Sequence, residues 1–401
     1  MSPSPTVFDL ALPPLDLESG PQVRPHVARV WTWGPQSEAL AAGPDRRAAT
    51  ATGGVEVPAD GLAVATAPPQ RFDAPVVVLV HALTGDPIVG GDAGWWSGLV
   101  GPGRPLDPTR MQLVCVNNLG SCYGSSGPLA ASFPRRGDGS RRVLRPERGA
   151  FEPVPSDAPA TLTTRDQARA IDLALAALGI DAVELLVGGS IGGMIALELE
   201  RESHRWFRRV VPVAASLAAT PWIIGFNHIA RRTIVEARPE DRGRALELAR
   251  QLAHMTYRAE PGLADRQGRA QVGAGWHADA PYRVQTYLEY QGARLRQRFD
   301  ADAYLCQLDA MDHHDVDRPS SRPRVRPRGA LLSVGIDTDR LFAAADARAV
   351  AERATADGRE AAYFEIASPH GHDAFLIEMD AMTRALTSAL ALPPGPEPVL
   401  P

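Results

Sequence analysis

Residues 185–200 read LLVGGSIGGMIALELE. An apolar run leads into one serine set between two pairs of glycines, and a second apolar run follows. Strand, the turn Gly188-Gly189-Ser190-Ile191-Gly192-Gly193, then a helix beginning MIALELE is the context a nucleophile elbow, G-x-S-x-G, requires. Bulky neighbours in so tight a turn would collide with the facing backbone, so the glycines are what lets the serine project. Ser190 also falls at a helix N-terminus, where peptide N–H groups and the helix dipole favour negative charge. It is therefore a candidate nucleophile in a place that would stabilise an oxyanion.

Working outward, short β-rich runs alternate with helical patterns: VVVLV (76–80), MQLVCVN (111–117), VELLV (183–187), GALLSVG (329–335) and YFEIA (363–367). That alternation predicts an α/β fold, a mostly parallel sheet with helices on both faces. The stretch TTRDQARAIDLALAALGID predicts a helix with Thr163 or Thr164 as N-cap and Gly179 as its stop. Pro212 in VVPVAA cannot donate to a ladder, so that strand is expected at an edge or ending there. From about 217 to 322 the pattern becomes helical and rich in Arg, Tyr and Gln, which predicts a helical lid insertion. The core is then divided into 26–216 and 323–390. The Pro-rich first 25 residues and the tail LPPGPEPVLP are expected to be poorly ordered and peripheral, and RPSSRPRVRPRG (318–329) reads as an exposed linker.

The chain has 401 residues, 44% of them hydrophobic, enough for one large core and an insertion. With 42 basic and 47 acidic residues the net charge is -5, which gives no reason to expect nucleic acid or an anionic membrane as partner. Small molecules are the expected ligands. Cys115, Cys122 and Cys306 fit neither a disulfide framework nor a metal motif, and no apolar stretch approaches a membrane span, so a cytoplasmic location is expected. In MDHHDVD (311–317), His313 and His314 diverge on a helix, whereas ligands share a face; no metal is expected.

A serine hydroxyl is a poor nucleophile until a base takes its proton, so the elbow demands an acid and a histidine downstream. GALLSVG runs into IDTDRLF and YFEIA into SPHGHDAFL. Asp337 and Asp339, and His370 and His372, thus fall just beyond strand C-termini, where open α/β sheets keep their sites. Spacing alone leaves the choice within each pair open.

The segments VHALTGD, GWWSGLVGPGRPLD, CVNNLGSCYGSSGP, GGSIGGM, TDRLF and GHDAFLIE together resemble the homoserine O-acetyltransferase family of the α/β-hydrolase fold, over roughly residues 75–380. The resemblance implies Ser190 as nucleophile, Asp339 as acid and His372 as base. Its oxyanion donors fall on the N–H groups of Leu83 and Ile191, in line with the need for one donor after the nucleophile and one after an early strand. It also places the substrate carboxylate on Arg231, in FNHIARRTI, and the substrate ammonium on Asp373. The implied reaction is ping-pong transfer from acetyl-CoA to L-homoserine in methionine biosynthesis, with no bound cofactor and a homodimeric enzyme. Homoserine or serine O-succinyl transfer and serine hydrolase or esterase activity are the alternatives, the plus and minus pair of Arg231 and Asp373 arguing against hydrolysis. A non-catalytic protein of this fold typically lacks a triad member, and all three are present. After RRTI the chain reads VEARPEDRGRALELAR, shorter than the family's segment and without its tyrosine-containing stretch, so the acceptor pocket or lid is altered there.

Overall fold

The computed structural model describes residues 4–42, 46–48, 72–135, 142–145, 150–153, 159–320 and 328–395. Nine strands form one sheet: β1 (Thr6–Leu12), β2 (His26–Trp33), β3 (Arg46–Ala48), β4 (Val76–Val80), β5 (Gln112–Val116), β6 (Leu185–Gly189), β7 (Arg209–Val213), β8 (Ala330–Ile336) and β9 (Ala361–Ile366). Their spatial order is β9-β8-β7-β6-β4-β5-β2-β1-β3. From β9 to β5 every neighbour is parallel, and β2, β1 and β3 extend the sheet in antiparallel fashion.

Strands β4 to β7 are buried on both faces, which explains their near-continuous apolar sequences. Side-chain alternation splits them between two cores. Val76, Val78, Val80, Leu186 and Val210 meet helices α1 (Thr164–Ala177) and α2 (Ile191–Glu202). On the opposite face Val77, Leu79, Leu185, Val187 and Val211 meet α9 (Met379–Ala391). Helix α8 (Ala344–Ala356) packs on Leu331 and on Leu197 of α2. Thr163 caps α1 in a reciprocal capping box with Asp166, and Gly179, at φ +70°, follows its end. Between β7 and β8 the described residues form five α-helices: α3 (Pro221–Val235), α4 (Arg242–Tyr257), α5 (Glu260–Gln267), α6 (Arg283–Arg296) and α7 (Ala301–Asp312).

Three expectations need correction. The N-terminal segment is not peripheral: β1 pairs with β2 along its whole length, and Phe8 and Leu10 are buried in the core. Its burial pattern, with Phe8, Asp9 and Leu10 all covered, hides the simple alternation that marks a half-exposed strand. Pro212 lies in an interior strand and not at an edge, although the strand does end one residue later, at Val213. The sheet accommodates it because β7 pairs with β8 at Arg209, Val210 and Val213 and skips the residues between, so the missing donor falls in a gap of the ladder. The start of the basic segment is docked, with Arg318 donating to Glu18 at 2.6 Å while its carbonyl accepts from Arg165 and Arg201. Residues 321–327 of that segment and 396–401 of the tail lie outside the described residues.

Candidate active site

Ser190 joins β6 to α2 with φ 60° and ψ −130°, a conformation that costs a non-glycine residue about 1–3 kcal/mol and persists only where its surroundings over-determine it. The surroundings are visible. A Cβ on Gly188 would sit 2.2 Å from the Gly192 carbonyl oxygen, and one on Gly192 would sit 2.3 Å from the Val80 carbonyl oxygen. The glycines therefore permit the crossing of β6, α2 and β4 that turns Ser190 outward, while its N–H is held by the Val213 carbonyl at 2.8 Å.

Two loops deliver the partners. His372 Nε2 lies 2.9 Å from Ser190 Oγ, and its Nδ1 lies 2.6 Å from Asp339 Oδ2. Because a carboxylate only accepts, Nδ1 carries the proton and Nε2 is left to accept from the serine. Asp339 is fixed in turn by the Leu341 and Phe342 N–H groups at 2.8 and 2.9 Å. Burial alone would push the His372 pKa down; the Asp339 charge and hydrogen bond, aided by Asp373, outweigh it and hold the imidazole above its ordinary value. All three side chains are buried. Asp337 and His370, the other members of each pair, do different work: Asp337 accepts from the Ser368 N–H, and His370 donates its own N–H to Ser368 Oγ. The Asp337 bond ties the acid loop to the histidine loop, while the His370 bond is a turn within the histidine loop.

Leu83 stands in the turn after β4, where Gly85 N–H bonds the Ala82 carbonyl. His81 braces that turn, bonded to the Ala82 carbonyl at 2.9 Å, to Asn117 at 3.1 Å and to the Asn118 N–H at 3.0 Å. Ile191 is the first residue of α2, so its N–H has no acceptor inside the helix. A narrow pocket joins this corner to the lid, lined by Leu83, Phe226, Asn227, Ala230, Tyr257 and Leu341.

Arg231 and Asp373 are both already paired. Arg231 Nη2 contacts Asp312 at 2.5 Å and Asp309 at 3.1 Å, and its Nε is buried without a hydrogen-bond partner among the described residues. Asn227, on the pocket wall, donates to the same Asp312. Asp373 lies 3.1 Å from Arg258 Nε. Sequence reasoning missed those partners, and it missed three aromatic rings around the base: Phe342 stacked at 5.2 Å, Phe375 edge-on at 5.6 Å and Tyr257 at 5.7 Å. It also missed Arg298, which follows α6 and reaches across to the Thr84 carbonyl at 2.6 Å and the Tyr123 hydroxyl at 2.7 Å, tying the lid to the Leu83 turn. Phe375 lies three residues from His372, but the others act across long sequence separations and nothing local marks them. Of the two histidines near the end of α7, His314 is buried with both ring nitrogens bonded, to Thr164 and the Ser216 carbonyl. Among the described residues no group of three His, Cys, Asp or Glu side chains could hold a metal ion.

The family model for the alpha/beta hydrolase fold matches residues 75–378. A homoserine O-acetyltransferase of Thermus thermophilus is 38% identical over 78% of this chain and 81% of its own, and one of Carboxydothermus hydrogenoformans is 36% identical over 80% and 86%. The chain belongs to the homoserine O-acetyltransferase family. The crystal structure of a homoserine O-acetyltransferase from Staphylococcus aureus superposes with a TM-score of 0.68 at 25% identity, covering 97% of this chain and 96% of that one. Within the family's α/β-hydrolase frame, the serine turn, acid loop and histidine loop lie at the C-terminal ends of β6, β8 and β9.

Proposed function

We propose that the protein is an O-acyltransferase that moves an acetyl group from acetyl-CoA to the side-chain hydroxyl of L-homoserine. The observation that carries the reading is the buried Ser190–His372–Asp339 hydrogen-bonded chain beneath a helical cover, in a member of this family. Ser190 Oγ attacks the thioester carbon as His372 Nε2 takes its proton. The oxyanion rests on the Leu83 and Ile191 N–H groups, the C–S bond breaks, and CoA leaves with the proton from His372. The homoserine hydroxyl then gives its proton to His372 and attacks the acetyl carbon; the bond to Ser190 Oγ breaks and the serine is reprotonated. Asp339 holds the imidazole tautomer and stabilises the imidazolium throughout.

Arg231 is our choice for the substrate carboxylate: its Nε donor is unmet beside the pocket, and a guanidinium fork suits a carboxylate. Asp373 is our choice for the ammonium. Helices α3 to α7 serve as the lid that keeps water from the acyl-enzyme, a role the nearly complete burial of the triad supports. A homodimer formed through the lid is supported by the exposed apolar side chains of Trp222, Ile229, Leu248 and Tyr290 on α3, α4 and α6. No described helix is long and apolar enough to cross a membrane, and we take the enzyme to act in the cytoplasm.

The test is chemical. Incubation with acetyl-CoA and no acceptor should add one acetyl group to the peptide containing GGSIGGM, and homoserine should remove it as O-acetylhomoserine. Rates over acetyl-CoA and succinyl-CoA against homoserine and serine decide donor and acceptor. Equal CoA release with and without homoserine would turn the reading into a hydrolase.

A further inference from the structure

A second concavity of about 750 Å³ opens on the outer side of the catalytic loops. Its charged lining is Arg258, Arg269 and Arg340 against a single Glu260. Arg258 is committed to Asp373. Arg340 meets Glu260 only at 3.7 Å between side chains 61% and 81% exposed, a pair too solvated to hold either group in place. Arg269 has no carboxylate partner among the described residues and lies over the Tyr282 ring, 5.8 Å from its centroid. Between these cations the wall is apolar, from Met255, Leu263, Tyr282 and Val284.

The cleft and the pocket at Leu83 are lined by successive residues of the same two chain segments. Arg258 follows Tyr257 and Arg340 precedes Leu341, and Tyr257 and Leu341 line the pocket at Leu83. The junction is tight: Gly371, next to the base, has φ +65°, and a Cβ there would lie 2.7 Å from the Ala259 nitrogen and 2.8 Å from the Tyr257 carbonyl oxygen. Histidine loop and cleft floor are thus packed backbone to backbone.

We propose that this cleft receives the nucleotide end of acyl-CoA, with Arg269 and Arg340 on its phosphates, the purine against the Tyr282 wall, and the pantetheine arm entering past Tyr257 and Leu341 to Ser190. Two exposed arginines suit phosphates, which accept paired N–H donors, and the flanking apolar wall suits a purine. The inference rests on the acyl-CoA reading above. It separates the donor's handle from the acceptor's, which lies on the α3 and α7 side at Arg231.

The experiment compares wild type with the Arg269→Ala/Arg340→Ala double variant, using acetyl-CoA and acetyl-pantetheine, which lacks the nucleotide, at saturating homoserine. The ratio of kcat/KM for the two donors cancels any damage that Arg340→Ala does to neighbouring Asp339. It should fall at least about 10-fold in the variant, with the wild-type ratio itself falling as salt screens the phosphates. Calorimetric binding of adenosine 3′,5′-bisphosphate should weaken in parallel. An unchanged ratio together with unchanged nucleotide binding overturns the proposal. A wild-type enzyme that releases thiol from neither donor overturns the acyl-CoA reading instead, and the calorimetry, which needs no turnover, still decides the cleft.

Discussion

The serine turn and the paired charges of Arg231 and Asp373, proposed above for the acceptor, satisfy their polar groups in opposite ways. At the turn, each reactive group meets the partner its chemistry needs: serine to imidazole, imidazole to carboxylate, carboxylate to two backbone N–H groups. At the acceptor end, Arg231 faces Asp309 and Asp312, and Asp373 faces Arg258. Catalytic groups can be preorganised toward one another because the substrate enters between them late. On the proposed reading Arg231 and Asp373 are charges awaiting those of a zwitterion; a buried unpaired charge is costly, and the internal counter-charges are what the ligand would join or displace. Burial pushes the Asp312 carboxyl up against the pull of Arg231.

The turn should break hardest. Ser190→Ala is expected to lower transfer by roughly 10⁶-fold and to abolish the acetylated GGSIGGM peptide, and Ser190→Ala/His372→Ala should be about equally inactive, since triad members act as a unit. Acetylation elsewhere in the chain would remove the serine from the mechanism.

Asp339→Asn comes next, at roughly 10⁴-fold in turnover, because an amide can no longer hold the productive imidazole tautomer. It also carries a pH signature. Only neutral His372 accepts the serine proton, so the rate of the first half-reaction should rise with pH through a midpoint above the ordinary imidazole value of 6.5. With the carboxylate gone, burial is the dominant influence left, and the midpoint of the residual activity should move down. Asp337→Asn, which keeps an oxygen for the Ser368 N–H, should cost less than about tenfold. A reversed order would reassign the acid.

This contrast tracks what a sequence can carry. The elbow is legible because its constraint is local: glycines at 188 and 192 are there for contacts of 2.2 and 2.3 Å that no other residue tolerates, and the strand and helix flanking them announce themselves by pattern. The acid and base could be narrowed to two pairs by strand ends, but spacing could not choose within them; the choice came from the resemblance, and the geometry shows Asp337 fastening the two loops together and His370 bonded within its own loop. The partners of Arg231 lie 78 and 81 positions away on α7, and that of Asp373 lies on the lid, so no window of sequence contains both ends of either pair. The same reason hid β1, whose register is set by β2 across a Pro-rich loop. Pro212 misled because its penalty depends on one missing donor, and the ladder to β8 simply has a gap there.

At the acceptor end, Arg231→Lys keeps the charge but loses the fork. It should slow the second half-reaction by about 30-fold or more, the scale of losing a charged partner in a desolvated site, and leave the acceptor-free burst of CoA nearly intact. Asp312→Asn keeps the hydrogen-bond geometry and leaves Asp309 as counter-charge, so its effect should be smaller and confined to the KM for homoserine. If both variants slow the burst as much as overall transfer, the trio is scaffolding for the lid.

The smallest expected effect discriminates most finely. If Arg258 is a stand-in for the substrate ammonium, it competes with homoserine for Asp373, and Arg258→Gln should lower the KM for homoserine a few-fold, about 2- to 5-fold, at saturating acetyl-CoA. The size is modest because both side chains remain partly exposed, at 15% and 17%, so solvent screens the pair being broken. If the pair instead only anchors the histidine loop to the lid, the same substitution loosens the base that adjoins Asp373, and kcat and the acceptor-free burst fall together while the KM for homoserine does not improve. Asp373→Ala completes the cycle: under competition it raises the KM for homoserine in either background, whereas under anchoring it adds nothing once Arg258 is gone. The sign of one KM change therefore decides whether the acceptor site is built from surrogate charges or whether Asp373 belongs, with the triad, to the rigid half of the molecule.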